Sequence, residues 1–359
     1  MHIKTYRLAL IGFGNVGRGL VQLLMDKKRM LQFRPEIAIV ITAISDMHLG
    51  YASNPAGLDL QELLDLPNEP GALSRLPSGR AAADNEAAIC ADFVDIVAEL
   101  TFTNPKTGEP AITHCNLAKS HGKHAITTNK GPVALAGGRL RYDARYEKLA
   151  FHYEGSVMSG TPVLRFATEA LEGAKITAFR GILNGTANFV LGQIETGESA
   201  ETAIQTAQRL GYAEADPTAD IGGSDVLAKV RILSGEVFGY GCRIASETVQ
   251  GITDLDSAEV QDAQTQGYRW KLIGEGRLGD DGEAYLSVKP QRLPLSDPLA
   301  GIGGVLNGIT FTTDVLDDVT VIGPGAGRVQ TAFALLSDIL DIHRKSRQPI
   351  YQPVAQEVR

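Results

Sequence analysis

Carboxylates and a lysine are concentrated between residues 211 and 229. Four carboxylates lie within twelve residues, at Glu214, Asp216, Asp220 and Asp225. Lys229 follows Asp225 at the i, i+4 spacing that places two side chains on one face of a helix. Six of the eight residues from Val226 to Leu233 are apolar, which predicts a largely buried helix. A lysine there needs an anionic partner and could donate a proton, because burial lowers the pKa of an ammonium group. On spacing alone, a surface ion pair is the alternative.

Three glycines form a G-x-G-x-x-G pattern directly after the apolar run Leu8–Ile11. Such glycines allow a tight turn and the close approach of a pyrophosphate to the backbone. A helix expected over residues 16–30 begins at this turn, and its N-terminal N–H groups favour a phosphate anion. The pattern predicts a dinucleotide-binding turn made of Gly12, Phe13, Gly14, Asn15, Val16 and Gly17. A plain strand–helix turn is the alternative.

Asp46 follows a second apolar run, Ile37–Ile44. A carboxylate at the end of this strand accepts a hydrogen bond from the ribose 2′-OH of NAD and repels the 2′-phosphate of NADP. Asp46 lies farther from the glycines than the usual spacing of about 20 residues, so a solvated strand-end aspartate is the alternative. No lysine or arginine occurs in residues 47–50. These observations favour NAD slightly and leave NADP open.

Thr101 and Lys130 each follow a predicted strand, Val94–Leu100 and Ala125–Thr128 respectively. Open α/β sheets bind their ligands at the carboxyl ends of the strands. Lys130 could therefore hold a substrate carboxylate, and Thr101 could face a nicotinamide. Solvated loop side chains are the alternative at both positions.

Glu154 begins a glycine-punctuated segment that runs to Pro162. A carboxylate and backbone carbonyls in such a turn can bind a hard cation. The residues alone favour an ordinary loop that crosses between domains.

Apolar runs and helical segments alternate from residue 7 to residue 153, which predicts a parallel α/β sheet. Later strands and helices follow a different order and predict an α+β domain. We therefore predict an α/β protein with a Rossmann-type nucleotide-binding domain over residues 1–150, completed by residues 319–345. An α+β substrate domain is expected over residues 151–318. A strand at Val319–Ile322 and a helix at Val329–His343 are expected to return to the cofactor cleft, and residues 346–359 to form a C-terminal tail.

Composition narrows the class of protein. The 359 residues carry a net charge of −8, which argues against nucleic acid or an anionic membrane as the main partner. Three cysteines form no disulfide framework or zinc motif, and no apolar run approaches the ~20 residues of a membrane span. We expect a small-molecule substrate and a cytoplasmic location.

Six motifs, in this order, resemble homoserine dehydrogenase over nearly the whole chain. They are Gly12–Gly17, Thr127–Pro132, Gly181–Phe189, Gly211–Pro217, Ser224–Lys229 and Gly323–Gly327. The resemblance implies NAD(P)-dependent interconversion of L-homoserine and L-aspartate 4-semialdehyde, in threonine, methionine and isoleucine biosynthesis. It also implies a homodimer formed through the sheet of the second domain. No appended ACT-type regulatory domain is expected.

The resemblance also implies roles for individual residues. Lys229 matches the proton donor, and Lys130 matches a lysine between substrate and nicotinamide. Glu214 and Asp225 match residues that anchor the amino acid, with Asp220 nearby. Cofactor contacts carry over to Phe13, Asn15, Val16, Thr101, Gly211 and Gly327. A sodium site carries over to the side chain of Glu154 and the backbone of Val157, Ser159 and Thr161.

Two other interpretations of the function are compatible with the sequence. One is an NAD(P)-dependent dehydrogenase of another amino alcohol. The other is a catalytically silent NAD(P)-binding sensor, although silent relatives commonly lose the proton donor or its carboxylate, and Lys229 and Asp225 are both present. Arg328, directly after Gly327, is a departure from the family pattern that bears on the choice between NAD and NADP.

Overall fold

The computed structural model describes residues 3–27, 36–80 and 84–347. A first six-stranded sheet is built from β1 Lys4–Ile11, β2 Ile37–Asp46, β3 Gly50–Ser53, β4 Ile96–Glu99, β5 His124–Thr127 and β6 Phe151–His152. Its order is β3-β2-β1-β4-β5-β6, and only β3 runs antiparallel to its neighbour. The predicted Rossmann-type α/β fold is confirmed.

Helices cover both faces of the first sheet. They are Asn15–Asp26, Leu60–Leu64, Asn85–Cys90, Ala111–Ser120 and Lys130–Tyr146, with a 3-10 turn at Leu73–Arg75. Successive residues of a strand point to opposite faces, so Leu8 and Leu10 pack on one side while Ala9 and Ile11 pack on the other. This burial on both faces explains why β1 is a continuous apolar run.

A second six-stranded sheet is built from β7 Ile176–Ile182, β8 Ile244–Val249, β9 Tyr268–Leu278, β10 Ala284–Pro294, β11 Leu306–Thr313 and β12 Asp317–Pro324. Its order is β12-β11-β7-β9-β10-β8, and all pairs are antiparallel except β10 with β8. The helices of this unit are Gly185–Glu195, Ala200–Arg209, Thr218–Ile221, Ser224–Phe238 and Ser257–Thr265.

The connection between the two sheets is compact. It contains a 3-10 turn at Glu154–Ser156 and a short helix at Val163–Arg165 that continues into a π-helical turn at Phe166–Ala170. One core cluster extends from the first sheet, where it includes Ala9, to the second sheet, where it includes Phe179. The two sheets therefore share a continuous apolar interior.

The last helix, Arg328–Ser346, returns to the first sheet and packs against the helix Asn15–Asp26. The approach is close, because a Cβ at Gly19 would lie 2.6 Å from the carbonyl oxygen of Arg328. The strand that precedes this helix differs from our expectation. It pairs as β12 with β11 in the second sheet, because residues 306–324 form a hairpin whose register is continuous. The chain therefore crosses back to the first sheet only after residue 324.

Within the described parts of the chain, no helix combines the length and the apolar character that a membrane span requires.

Candidate active site

The glycine turn lies between the ends of β1 and β4. Gly12 has φ +99°, and a Cβ there would lie 2.6 Å from the carbonyl oxygen of Leu100, so only glycine fits. Gly14 is different, because a Cβ there would meet no atom within 4 Å. It occupies the N-cap of the helix Asn15–Asp26 and makes no side-chain capping hydrogen bond. The first N–H groups of this helix therefore face open space where an anion can bind.

Asp46 holds this turn in place. Its carboxylate accepts hydrogen bonds from the backbone N–H groups of Phe13 at 2.8 Å and of His48 and Leu49 at 2.9 Å. Burial opposes ionisation, but these three hydrogen bonds outweigh it and lower the pKa of Asp46. The carboxylate is thus a fixed negative charge beside the glycine turn.

Glu99 is a buried carboxylate that sequence reasoning missed. It ends β4 with no exposed surface and accepts hydrogen bonds from the Thr101 hydroxyl, from Asn129 Nδ2 at 3.2 Å and from His114 Nδ1 at 3.3 Å. Asn129 in turn caps the helix that begins at Lys130, with its Oδ1 accepting from the N–H of Gly131. The sequence signal that could have identified Glu99 is its position at the end of an otherwise apolar strand. Glu99 thereby fixes the positions of both Thr101 and Lys130.

Asp225 and Lys229 meet as the spacing predicted. Lys229 Nζ lies 2.7 Å from Asp225 Oδ2 and donates a second hydrogen bond to the carbonyl oxygen of Leu183 at 2.5 Å. The lysine is 8% exposed. An ammonium group has three N–H donors, so one remains for a ligand.

Lys130 reaches the same carboxylate from the first sheet. Its Nζ lies 3.3 Å from Asp225 Oδ1, so each carboxylate oxygen of Asp225 faces one lysine. Burial opposes ionisation of Asp225, but the charges of Lys229 and Lys130 outweigh it and hold the pKa of this carboxyl well below its usual range. Asp225 is also in the first turn of its helix, where the dipole favours a negative charge.

Asn184 is the second functional residue that sequence reasoning missed. Its Nδ2 donates to Asp220 Oδ1 at 2.7 Å and to Asp225 Oδ2 at 3.0 Å, while its Oδ1 accepts from the N–H of Ala187. Burial raises the pKa of Asp220, and the neighbouring charge of Asp225 adds to this although the Asn184 hydrogen bond opposes it. One amide therefore holds two carboxylates in a fixed arrangement. Only the motif Gly181–Phe189 marked this position in the sequence.

Three other predicted residues are not joined to this network. Glu214 is exposed, and its backbone carbonyl accepts a hydrogen bond from Gln208. Gly211 is an exposed turn residue with φ +74°, and Gly327 is the N-cap of the last helix with φ +130°. Among the described residues, no hydrogen bond or ion pair links Glu214 to the cluster of Lys229, Asp225 and Lys130.

The Glu154 segment is buried between the sheets. The Glu154 carboxylate accepts from the N–H groups of Leu164 at 2.8 Å and Arg165 at 3.1 Å, and it faces the Arg165 guanidinium. Val157, Ser159 and Thr161 are buried as well. Ser159 has φ +55°, a left-handed backbone that is strained for a residue with a side chain. A strained buried turn of this kind is typical of a functional segment.

Comparisons with known proteins agree on one family. The family model described as homoserine dehydrogenase matches residues 162–340. The chain is 48% identical to an NAD(+)-dependent homoserine dehydrogenase of Pseudomonas canavaninivorans, over 96% of this chain and 98% of that one. It is 37% identical to a homoserine dehydrogenase of Methanocaldococcus jannaschii, over 95% of this chain and 99% of that one. The fold is also similar to a solved structure of a hyperthermophilic archaeal homoserine dehydrogenase in complex with NADPH. The TM-score is 0.82 at 25% sequence identity, and the match covers 95% of this chain and 98% of that one.

The ionised Asp225 should make stability depend on pH. Asp225→Asn leaves two lysines without their shared anion, so we expect the free energy of unfolding at pH 7 to fall by roughly 3 kcal/mol. The folded pKa of Asp225 is depressed, so its contribution is complete above the unfolded value of about 3.9 and is lost as pH falls through the folded value. The difference between wild type and variant should stay constant from about pH 8 to 5 and shrink below about pH 4.

Urea denaturation at several pH values measures this difference. Asp280→Asn is the control, because Asp280 is exposed in the turn between β9 and β10. An Asp225→Asn difference that persisted undiminished at pH 3 would show that the ion pairs do not stabilise the fold.

Proposed function

The chain belongs to the homoserine dehydrogenase family, and we propose that Lys229, Asp225 and Lys130 form its catalytic centre. The reaction is the NAD(P)-dependent interconversion of L-homoserine and L-aspartate 4-semialdehyde, a step of amino-acid biosynthesis. The assignment of these catalytic residues rests on one observation. The Lys229 ammonium is buried, oriented by Asp225 and the Leu183 carbonyl, and keeps one N–H for a ligand.

Lys229 acts on the oxygen of the reacting carbon. Bound NAD(P)H supplies the hydride that reduces the aldehyde. Negative charge then builds on the aldehyde oxygen, and a nearby ammonium stabilises that charge and donates a proton to it. In the opposite direction, Lys229 accepts the hydroxyl proton of homoserine. Asp225 keeps the Lys229 side chain in one orientation, because its Oδ2 accepts from Lys229.

The charges around Lys229 match an amino acid substrate, which carries an ammonium and a carboxylate. Asp220 is half-buried and fixed by Asn184, and it supplies a negative group for the ammonium. Lys130 supplies a positive group for the carboxylate. Glu214 remains part of the proposed substrate site by family resemblance. Because Glu214 is exposed, the Gly211–Pro217 turn would have to approach the bound substrate for this side chain to contact it.

The glycine turn fits a dinucleotide, and we propose NAD as the preferred one. The open space beside Gly14 and the uncapped N–H groups suit a pyrophosphate. The fixed negative charge of Asp46 disfavours a 2′-phosphate. Arg18 opposes this preference, because a guanidinium can accommodate the 2′-phosphate of NADP. The guanidinium lies close enough to Asp46 and Arg328 to interact with both. The remaining cofactor contacts are assigned to Thr101, Lys130, Gly211 and Gly327, by family resemblance or by their place at the sheet edge.

A monovalent cation such as Na⁺ fits the Glu154 segment. Two buried carboxylates, Glu154 and Asp338, face a single guanidinium, that of Arg165, and burial raises the pKa of both, that of Asp338 to about 8, so a bound cation would offset the cost of ionising them. The carbonyl oxygens of Val157 and Ser159 accept no hydrogen bond within the described part of the chain. Buried carbonyls are normally paired. We propose that these carbonyls, that of Thr161 and the Glu154 side chain hold the cation, which would stabilise the connection between the sheets.

A homodimer through the second sheet is supported by exposed apolar residues on the β11–β12 hairpin. Val315 is 67% exposed, Leu316 56% and Ile322 51%. Several exposed apolar side chains of this size on one hairpin are consistent with a protein interface. The cytoplasmic location stays a prediction.

Lys229→Ala tests the proposed proton donor. We expect kcat to fall by about 10²–10⁴-fold, the usual contribution of general acid–base catalysis, while the affinity for NAD(P) stays unchanged. Absorbance of the reduced cofactor measures turnover, and fluorescence titration measures cofactor binding. Lys289→Ala is the control, because Lys289 is an exposed lysine on β10. Near-normal kcat in Lys229→Ala would remove this residue from the mechanism.

Parallel assays with NAD and NADP test the cofactor preference. We expect a higher kcat/KM with NAD, and we expect Asp46→Asn to reduce the NAD preference by about tenfold, or about 1.4 kcal/mol. Asp26→Asn changes the same charge at the exposed far end of the helix and should leave the ratio unchanged. A wild-type preference for NADP would contradict the proposed role of Asp46.

Melting temperature in NaCl and in choline chloride at equal ionic strength tests the cation site. Binding to the folded state alone should raise the Tm in NaCl by about 2–4 °C. Glu154→Gln should abolish this difference, whereas Glu169→Gln, which removes a half-exposed carboxylate, should retain it. Equal Tm values for the wild type in the two salts would contradict the site.

Sedimentation equilibrium tests the dimer. We expect twice the chain mass for the wild type and a shift towards monomer for Ile322→Lys, because a charge would replace an apolar side chain of the proposed interface. Met47→Lys is the control, since Met47 is 96% exposed in the turn between β2 and β3. A wild type that sediments as a monomer at micromolar concentration would exclude the proposed interface.

A further inference from the structure

Two helices, one from each of the two sheet units, are joined by ion pairs at two places. Lys130 begins the helix Lys130–Tyr146, and Asp225 lies in the first turn of the helix Ser224–Phe238. Eleven residues later on each helix (130 to 141 and 225 to 236), Arg141 faces Glu236. Equal spacing on both helices means that they run side by side in the same direction, with the two contacts about 16 Å apart at 1.5 Å per residue.

The second contact is a cluster rather than a single pair. Arg141 Nη1 donates to Glu236 Oε1 at 2.7 Å and Oε2 at 2.6 Å. The Tyr153 hydroxyl donates to Glu236 Oε1, and the Tyr240 hydroxyl donates to the same oxygen at 3.1 Å. The Glu236 side chain is only 5% exposed. A carboxylate with this many charged and neutral donors is strongly fixed, since hydrogen bonds to ions are the stronger class.

Tyr240 also fills the space between the two helices. A Cβ at Gly138 would lie 2.6 Å from Tyr240 Cβ, and a Cβ at Gly235 would lie 2.5 Å from Tyr240 Cε1. Gly137 faces the Tyr240 hydroxyl at 3.0 Å in the same way. Glycine is unfavourable inside a helix relative to alanine, so three such glycines need a packing reason. The Tyr240 ring supplies that reason, because it fits only where these side chains are absent.

We propose that Glu236, with Arg141, Tyr153 and Tyr240, is a positioning cluster that sets the contact between Lys130 and Asp225. None of these four residues belongs to the proposed catalytic centre. They act on it through the two helices, which carry Lys130 on one side and Asp225 with Lys229 on the other. The inference rests on the proposed function of those three residues.

Glu236→Gln tests the cluster by removing the charge that Arg141 binds. A displacement of the order of an ångström at a catalytic group lowers turnover strongly, so we expect kcat to fall about tenfold while the dissociation constant of NAD(P) changes less than about twofold. Glu247→Gln is the matched control. It breaks the ion pair with Arg231 of the same helix, but that pair links the helix to β8 within its own unit. Its kcat should remain at the wild-type level.

A double-mutant cycle with Lys130→Met separates positioning from general stability. If the cluster acts through the Lys130–Asp225 contact, Glu236→Gln should lower kcat by less than about twofold in the Lys130→Met background, since the contact is already lost. Additive losses would overturn the proposal. Tyr240→Phe removes a single hydroxyl and keeps the ring between the helices, so it provides the same cycle if Glu236→Gln does not fold.

The same series distinguishes this inference from the proposed function. Loss of activity in Lys130→Met with wild-type kcat in Glu236→Gln would overturn the positioning cluster and leave Lys130 in the catalytic centre. Wild-type kcat in Lys130→Met would overturn the role of Lys130 itself and the cluster with it. Loss in both variants without additivity, together with partial retention of activity in Arg141→Lys, is the result expected.

Discussion

The carboxylate of Asp225 is shared by two ammonium groups that reach it from different sheets. Taking these three charges out of water costs several kcal/mol for each, and only close pairing offsets that cost. The pairing works because each oxygen of Asp225 faces one lysine and Asn184 supplies a further donor. If the two sheets moved apart, one lysine would lose its anion. The relative position of the sheets is thus coupled to the electrostatics of the site.

The glycine turn and the proposed catalytic centre depend on acidic side chains for different reasons. Asp46 and Glu99 each accept hydrogen bonds from the turns that follow β1 and β4, so they act as fixed acceptors that shape the backbone. Asp225 instead shapes the position of charged side chains. Both uses require a carboxylate whose burial is offset by hydrogen bonds or by opposite charges, which explains why acidic residues interrupt otherwise apolar segments of this chain.

Local patterns in the sequence were enough to predict β1, β2, β4 and β5 of the first sheet, although not the short edge strand β3. They also predicted the pairing of Asp225 with Lys229, because it depends on spacing along one helix. The roles of Asn184 and Glu99 depend on contacts between distant segments, and hydrophobic periodicity along the sequence does not reveal such contacts.

The helix Lys130–Tyr146 was not predicted as a helix, since Pro132 and Gly137–Gly138 reduce its helical propensity. Pro132 is tolerated in the first turn, and the Tyr240 ring compensates for the glycines. Strand β9 was missed because Lys271, held by Asn188, places a charge on its buried side.

The return of the helix Arg328–Ser346 to the first sheet affects the order in which the chain can assemble. Leu335, Leu336 and Ile339 of this helix complete the same core cluster as Leu20 and Leu24 of the helix Asn15–Asp26. While the ribosome is still making the second sheet, the apolar side of the helix Asn15–Asp26 lacks this cover. Domains generally fold in order from the N-terminus during synthesis. The first unit to be made is therefore completed late, and its glycine turn acquires full support only when the helix Arg328–Ser346 has emerged.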